Sequence, residues 1–176
     1  MSTEQTAIQT YLSFKLGEEV FAINVSKVLN ILEMSPITKV PKSPDYMKGV
    51  INLRGNVLPV VDMRIKFGLR ENEITVDSSI IVLSINKNNE ELMVGVLVDA
   101  VKEVLEFRDE EIVDSPSIGT KYNSGFISGM KRRDSNFIMI LNIDKVFATE
   151  EIIDFNEALN QADIDSKSKD SKAGEQ

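Results

Sequence analysis

Two pairs of segments in this chain repeat one another in the same order, and a repeat of that kind allows few folds. VFAINVSKVLNILEM (20–34) aligns with MVGVLVDAVKEVLEF (93–107). Apolar side chains meet at Val20/Met93, Phe21/Val94, Ile23/Val96, Val25/Val98, Val28/Val101, Ile31/Val104, Leu32/Leu105 and Met34/Phe107. The small Ala22 meets Gly95, and Glu33 meets Glu106. MKGVINLRGNVLPVVDMRIKF (47–67) aligns with ISGMKRRDSNFIMILNIDKVF (127–147), pairing Gly49 with Gly129, Asn56 with Asn136, Asp62 with Asn142 and Phe67 with Phe147. Any two hairpins share apolar alternation, but shared order, turn position and helix cap together indicate duplication.

The repeated material reads as β. Segments 10–16, 19–23, 48–53, 57–61, 79–86, 92–98, 126–132 and 137–141 are short, rich in Val, Ile, Leu and Phe, and bounded by turn formers. Short helical turns are expected at 63–67 and 143–147, capped by Asp62 and Asn142. A longer helix is expected over 151–162, then a disordered polar tail, DIDSKSKDSKAGEQ (163–176), and residues 1–9 are expected to be a flexible N-terminus. Two similar small antiparallel barrels follow, each closed to remove its sheet edges, packed together because each core is thin, with a groove between them.

The net charge of −8 and pI of about 4.7 argue against nucleic acid and anionic membrane surfaces. Cysteine and histidine are both absent, which removes disulfides, Cys or His zinc sites and Ser-His or Cys-His nucleophiles. No phosphate-binding glycine loop or calcium loop occurs, so no cofactor or metal is expected. MSTEQTAIQTYLSF lacks the basic and apolar regions of a signal peptide, and no run is long enough to span a bilayer, so a cytoplasmic location is expected. Asp62 and Asp99 are the carboxylates to weigh for acid–base work, but they read as a helix cap and a turn residue.

Binding remains. Segments 25–34 and 98–107 carry more apolar side chains than one small barrel face buries, which points to a surface groove. In GVINLRGNVLPVVD (49–62), Pro59 is expected at an edge or bulge and Arg54 at the hairpin tip. Their repeat mates are Met139 and Asp134, so the shared fold demands neither.

The stretch GVINLRGNVLPVVDMRIKFG, with the pattern K-G-V-x-N-L-R-G-x-x-x-P-V-x-D-x-R, resembles the chemotaxis coupling protein CheW family. The likeness extends through FKLGEEVFAINVSKVLNILE, VPKSPDYMKG and MVGVLVDAVKEVLEF, covering about residues 10–150. It implies a mainly β domain over 10–150 made of two SH3-like five-stranded barrels, acting as a non-catalytic adaptor. The implied partners are the cytoplasmic tip of methyl-accepting chemoreceptors and the regulatory domain of the histidine kinase CheA, at receptor arrays on the inner face of the membrane. Carried over by position, the receptor surface involves Val25, Val28, Arg54, Gly95, Val101 and Val104, and the kinase surface Ile37, Thr38, Val40 and Lys48. Some members have a glutamate at the position of Asn30 that pairs with the arginine matching Arg54. Here Asn30 could only accept a hydrogen bond from it, and Glu33 is the alternative partner. Competing readings are a diverged scaffold for a parallel chemosensory pathway and a small-molecule sensor using the inter-barrel cleft.

Overall fold

The computed structural model describes residues 7–70, 73–113, 125–147, 151, 155–157 and 159–160. In chain order they form β1 (Ile8–Leu16), β2 (Glu19–Asn24), β3 (Val28–Glu33), β4 (Met47–Leu53), β5 (Asn56–Asp62), the short helix α1 (Met63–Lys66) and β6 (Ser79–Lys87). There follow β7 (Glu90–Val98), β8 (Ala100–Arg108), β9 (Ile127–Arg133), β10 (Asn136–Leu141) and the short helix α2 (Ile143–Val146). Single 3-10 turns occupy Val25–Lys27 and Asp109–Glu111.

Two five-stranded mixed sheets pack together. Sheet I has the order β8-β1-β2-β10-β9 and sheet II the order β3-β6-β7-β5-β4. Replacing each strand by its repeat mate turns one order into the other, so the duplication is written into the topology. Neither sheet, however, is one half of the chain. Consecutive β2 and β3 lie in different sheets, as do β7 and β8, so each sheet draws two strands from one half and three from the other. The expectation of antiparallel barrels is corrected too, because β10 runs parallel to β2 and β5 parallel to β7. The strands reached by the crossings, β3 and β8, themselves pair antiparallel with β6 and β1, and the parallel contacts fall where the β4–β5 and β9–β10 hairpins meet a strand of the other half of the chain.

Both faces of each sheet bury apolar side chains. Between the sheets lies the main cluster, including Leu12, Phe14, Phe21 and Met139 of sheet I and Val61, Ile81, Leu83, Val94 and Val96 of sheet II. The other face of sheet II holds Ile51, Leu58, Val60, Ile80, Val82 and Leu97, and that of sheet I holds Tyr11, Ala22, Phe107, Ile138 and Ile140. Aliphatic alternation along each strand produces this arrangement directly, since successive side chains point to opposite faces.

Each free edge strand of the β4/β9 type is met by a short bridge. Thr38, soon after β3, exchanges two backbone bonds with Val50 of β4, at 2.9 and 2.8 Å. Val113, soon after β8, does the same with Met130 of β9, at 2.8 Å each way. These bridges explain the repeated glycine. A Cβ on Gly49 would sit 2.1 Å from the Thr38 carbonyl oxygen, and one on Gly129 would sit 2.4 Å from Ile112 Cγ2.

The same bridge accounts for Pro59, which is buried inside sheet II and not at an edge; the other expectation, a bulge, falls beside it, where the β4–β5 register shifts between Met47 and Gly49 opposite Val61 and Val60. Val50 gives both its backbone groups to Thr38, so the facing Pro59 occupies a pair with no bonds between the two strands. On its other side β5 pairs with β7 only from Val60 onward, whereas β10 pairs with β2 already from Ile138. The absent N–H falls where the ladder has not begun.

Asp62 caps α1, accepting from the Arg64 N–H at 2.9 Å, but Asn142 makes no side-chain cap bond to α2. Of the expected helix at 151–162, the described residues 151, 155–157 and 159–160 are helical, and Phe155 is buried edge-on to Phe147 and Tyr46. Residues 1–6 and the tail at 163–176 lie outside the described residues, whereas Ile8 and Gln9 belong to β1.

Candidate partner-binding surfaces

Segments 25–34 and 98–107 supply the edge strands β3 and β8. Each carries a β-bulge at the same place in the repeat. In sheet II, Val28 faces Leu83 and Asn30 faces Val82; in sheet I, Val101 faces Phe14 and Val104 faces Leu12. The extra residue sets Val28 and Ile31 on one face, and Val101 and Val104 on one face, each opposite residues of the main inter-sheet cluster. In sheet I the Ser13 hydroxyl satisfies the bulge, donating to the Glu103 carbonyl at 2.8 Å and accepting from its N–H at 3.1 Å.

The result is a pair of apolar rims. Val28 and Val101 are half-buried against the shared cluster. Beside them Ile31 is 45% exposed, Val104 60% and Val25, in the 3-10 turn leading into β3, 37%. Ile31 was not among the expected site residues, although the repeat alignment sets it opposite Val104. Gly95 is placed elsewhere. It lies on the face of sheet II turned away from sheet I, where a Cβ would meet Ile80 Cγ2 at 2.9 Å and Leu58 Cδ2 at 3.3 Å, so packing alone requires a small residue.

Arg54 and Gly55 form the two-residue loop of the β4–β5 hairpin, with φ of +53° and +85°. Positive φ at both positions is the twist-matched hairpin turn that favours Asn, Asp or Gly, so an arginine there costs about 1 kcal/mol. Asn52 accepts from the Gly55 N–H at 2.9 Å and steadies the turn. The Arg54 side chain has no ion pair or hydrogen bond among the described residues. Asn30 is not its partner, because Asn30 Oδ1 accepts from the Ile31 N–H at 2.8 Å, and Glu33 is exposed without one.

Ile37, Thr38, Val40 and Lys48 gather about β4, at the opposite edge of sheet II from β3. Thr38 is exposed and makes the bridge to Val50, while Ile37 packs on the inner cluster of sheet II and Val40 on the shared one. Lys48 Nζ lies 3.6 Å from Asp62 Oδ2.

Asp62 and Asp99 do converge, but on a cation. Arg64 donates Nε to Asp62 Oδ1 at 3.0 Å, Nη2 to Asp62 Oδ2 at 2.9 Å and Nη1 to Asp99 Oδ1 at 2.9 Å. Asp99 Oδ2 also accepts from the Gly17 N–H at 2.6 Å. The hydrogen bond to Asp62 outweighs burial and raises the Arg64 pKa above its ordinary value. Carboxylates held this way neutralise a guanidinium and are poorly placed to move protons, so this is a structural clamp. The signal was the D-x-R at 62–64. The described residues hold no group of three or more acidic side chains able to bind a metal ion, and no helix long and apolar enough to cross a membrane. Concavities of 510 Å³ beside Asp99 and 280 Å³ beside Asp144 are open and lined by charges of both signs, unlike an enclosed apolar ligand site.

Comparison with known proteins bears on these surfaces. The family model described as a CheW-like domain matches residues 10–151. The chemotaxis protein CheW of Rhizobium meliloti is 36% identical over 140 residues, covering 80% of this chain and 88% of that protein. Its counterpart in Thermotoga maritima is 33% identical over 148 residues, covering 83% and 93%. The crystal structure of the scaffolding protein TtCheW from Thermoanaerobacter tengcongensis superposes with a TM-score of 0.73 at 28% identity, covering 86% of this chain and 95% of that one.

Proposed function

This chain belongs to the CheW family and is a non-catalytic adaptor of chemotaxis signalling, and within that role we propose that it joins chemoreceptor tips to the histidine kinase CheA. Receptor tips present amphipathic helices, and the apolar rims of β3 and β8 offer Val25, Val28, Ile31, Val101 and Val104 to one face of such a helix. Arg54 adds a cation at the β4–β5 tip, and the backbone strain it carries supports a role outside folding. The kinase domain meets the β4 edge around Ile37, Thr38, Val40 and Lys48. Each sheet with its bridge is read as an SH3-like barrel within a 10–150 domain. The protein works at the cytoplasmic face of the membrane, recruited through its partners.

The observation carrying the receptor surface is the exposure of Ile31 and Val104 at corresponding positions of two bulged edge strands. Edge strands usually protect themselves with charge, and a matched apolar pair left open indicates a binding surface. Because Val28 also packs on the core, Val104 gives the cleaner test. Val104→Glu is expected to weaken binding to a receptor signalling fragment by at least about tenfold, with the melting temperature retained. Unchanged affinity would reject the surface.

A further inference from the structure

The two crossovers between the sheets are each held by an ion pair to a short helix, and the two pairs differ greatly in character, with Lys27 standing one position beyond Asp99 in the repeat. Where β7 passes to β8, Asp99 is gripped by Arg64 of α1, whose side chain is 2% exposed. Where β2 passes to β3, Lys27 Nζ meets Asp144 Oδ2 of α2 at 2.8 Å, and Asp144 Oδ1 accepts from the Asn86 N–H of β6 at 2.9 Å. Arg64 and Asp144 occupy the same position in the repeat. The charges are therefore exchanged: a helix cation holds a crossover anion in one half, and a helix anion holds a crossover cation in the other.

The second clamp is the weaker one. Lys27 and Asp144 keep 24% and 31% of their side-chain surface in solvent, and one carboxylate does the work of two. The 3-10 turn Val25–Lys27 buries none of its residues. It touches β1 of sheet I and β6 of sheet II, so its pose depends on the relation between the sheets. Apart from the Asn24 cap, which accepts from the Ser26 N–H at 2.9 Å, Asp144 is the polar tether of this turn among the described residues.

We propose that Asp144 is a positioning residue for partner binding, holding the Val25–Lys27 turn against the end of β6 so that Val25 and Val28 face the receptor helix. The proposal rests on the receptor-surface reading above. It makes α2, far from any partner contact in the chain order, a place from which the presentation of the rim is set.

The test uses the full chain, calorimetric titration with a soluble receptor-tip fragment, and amide exchange at residues 25–28 without the fragment. Asp144→Asn keeps an acceptor for Asn86 and removes the ion pair, and Lys27→Met removes it from the other side. Each is expected to speed exchange at 25–28 and weaken binding about threefold, with the double variant no weaker than either alone. Wild-type affinity in both variants, while Val104→Glu binds poorly, overturns the positioning role and leaves the receptor surface standing. Wild-type affinity in Val104→Glu removes the surface itself and the proposal with it. Weakened binding with unchanged exchange at 25–28 also overturns it, since Asp144 would then act by direct contact.

Discussion

Sheets I and II share a strand order, a bulged edge strand, a bridge and a close-approach glycine, yet they differ in what each places around that frame. On the face turned away from its partner, sheet II is filled by aliphatic side chains, and sheet I by Tyr11 and Phe107 with Ala22 and two isoleucines. The crossover into sheet I is locked by a buried Asp62–Arg64–Asp99 network, and the crossover into sheet II by one half-exposed ion pair. The hairpin loop of sheet II carries Arg54 at positive φ, where sheet I carries Asp134. What the two halves share is the bridge at the β4 and β9 edges and the glycine that admits it. What differs is the charge at turns and clamps, which the shared frame does not fix.

The sharpest way to break the comparison is at the clamps. Arg64→Leu takes two hydrogen bonds from the fully buried carboxylate of Asp62, leaving it the Lys48 ammonium at 3.6 Å and the residue-64 backbone N–H, and is expected to cost about 3 kcal/mol in urea denaturation, whereas Lys27→Met costs under about 1 kcal/mol. Equal losses would mean that the two crossovers are equally rigid. At the turns, Arg54→Asn relieves the left-handed backbone. It is expected to stabilise the fold by about 0.5–1 kcal/mol while weakening assembly with receptor and kinase, and Asp134→Asn shifts neither measurably. An Arg54→Asn protein less stable than wild type would assign the arginine to folding.

The smallest expected effect separates the inner clusters. Burial, reinforced by the nearby Asp109 carboxylate, raises the Tyr11 phenol pKa above its ordinary value. The unfolded chain therefore releases this proton first as the solution becomes alkaline. The contribution is complete below the unfolded pKa of about 10 and is lost as pH rises towards the folded value. Melting temperatures of wild type and Tyr11→Phe should diverge as the pH rises above the unfolded phenol pKa of about 10, with the wild type falling faster. Parallel curves would contradict the burial of the phenol.

Much of this was legible in the residues. Alternating Val, Ile and Phe marked most strands, Asp62 marked the α1 cap, and the repeat alignment paired the glycines and the bulged segments correctly. Three features were not. β3 and β8 did not read as strands because the bulge turns Val28/Ile31 and Val101/Val104 into an i, i+3 pattern that strict alternation does not produce. The exchange of strands between halves left no local trace, since side-chain periodicity reports which face is buried and not which sheet receives the strand. The role of Arg64 is not legible from its place alone, since a basic residue at a helix start is ordinarily solvated and only the fold brings Asp99 to its other side. On the candidate surfaces, Val25, Val28, Val101 and Val104 fall on matching rims, Ile31 joins them through the bulge, and Gly95 is accounted for by the interior of sheet II.

The central claim, an adaptor whose receptor surface is the pair of apolar rims on β3 and β8, is tested most directly by co-sedimentation of the full chain with a receptor signalling fragment and the kinase together. Wild-type protein should enter the pellet only when the partners are present, and Val104→Glu, still folded by its melting curve, should remain largely in the supernatant with the receptor fragment alone. Wild-type protein left in the supernatant, or Val104→Glu pelleting as well as wild type, would contradict the account.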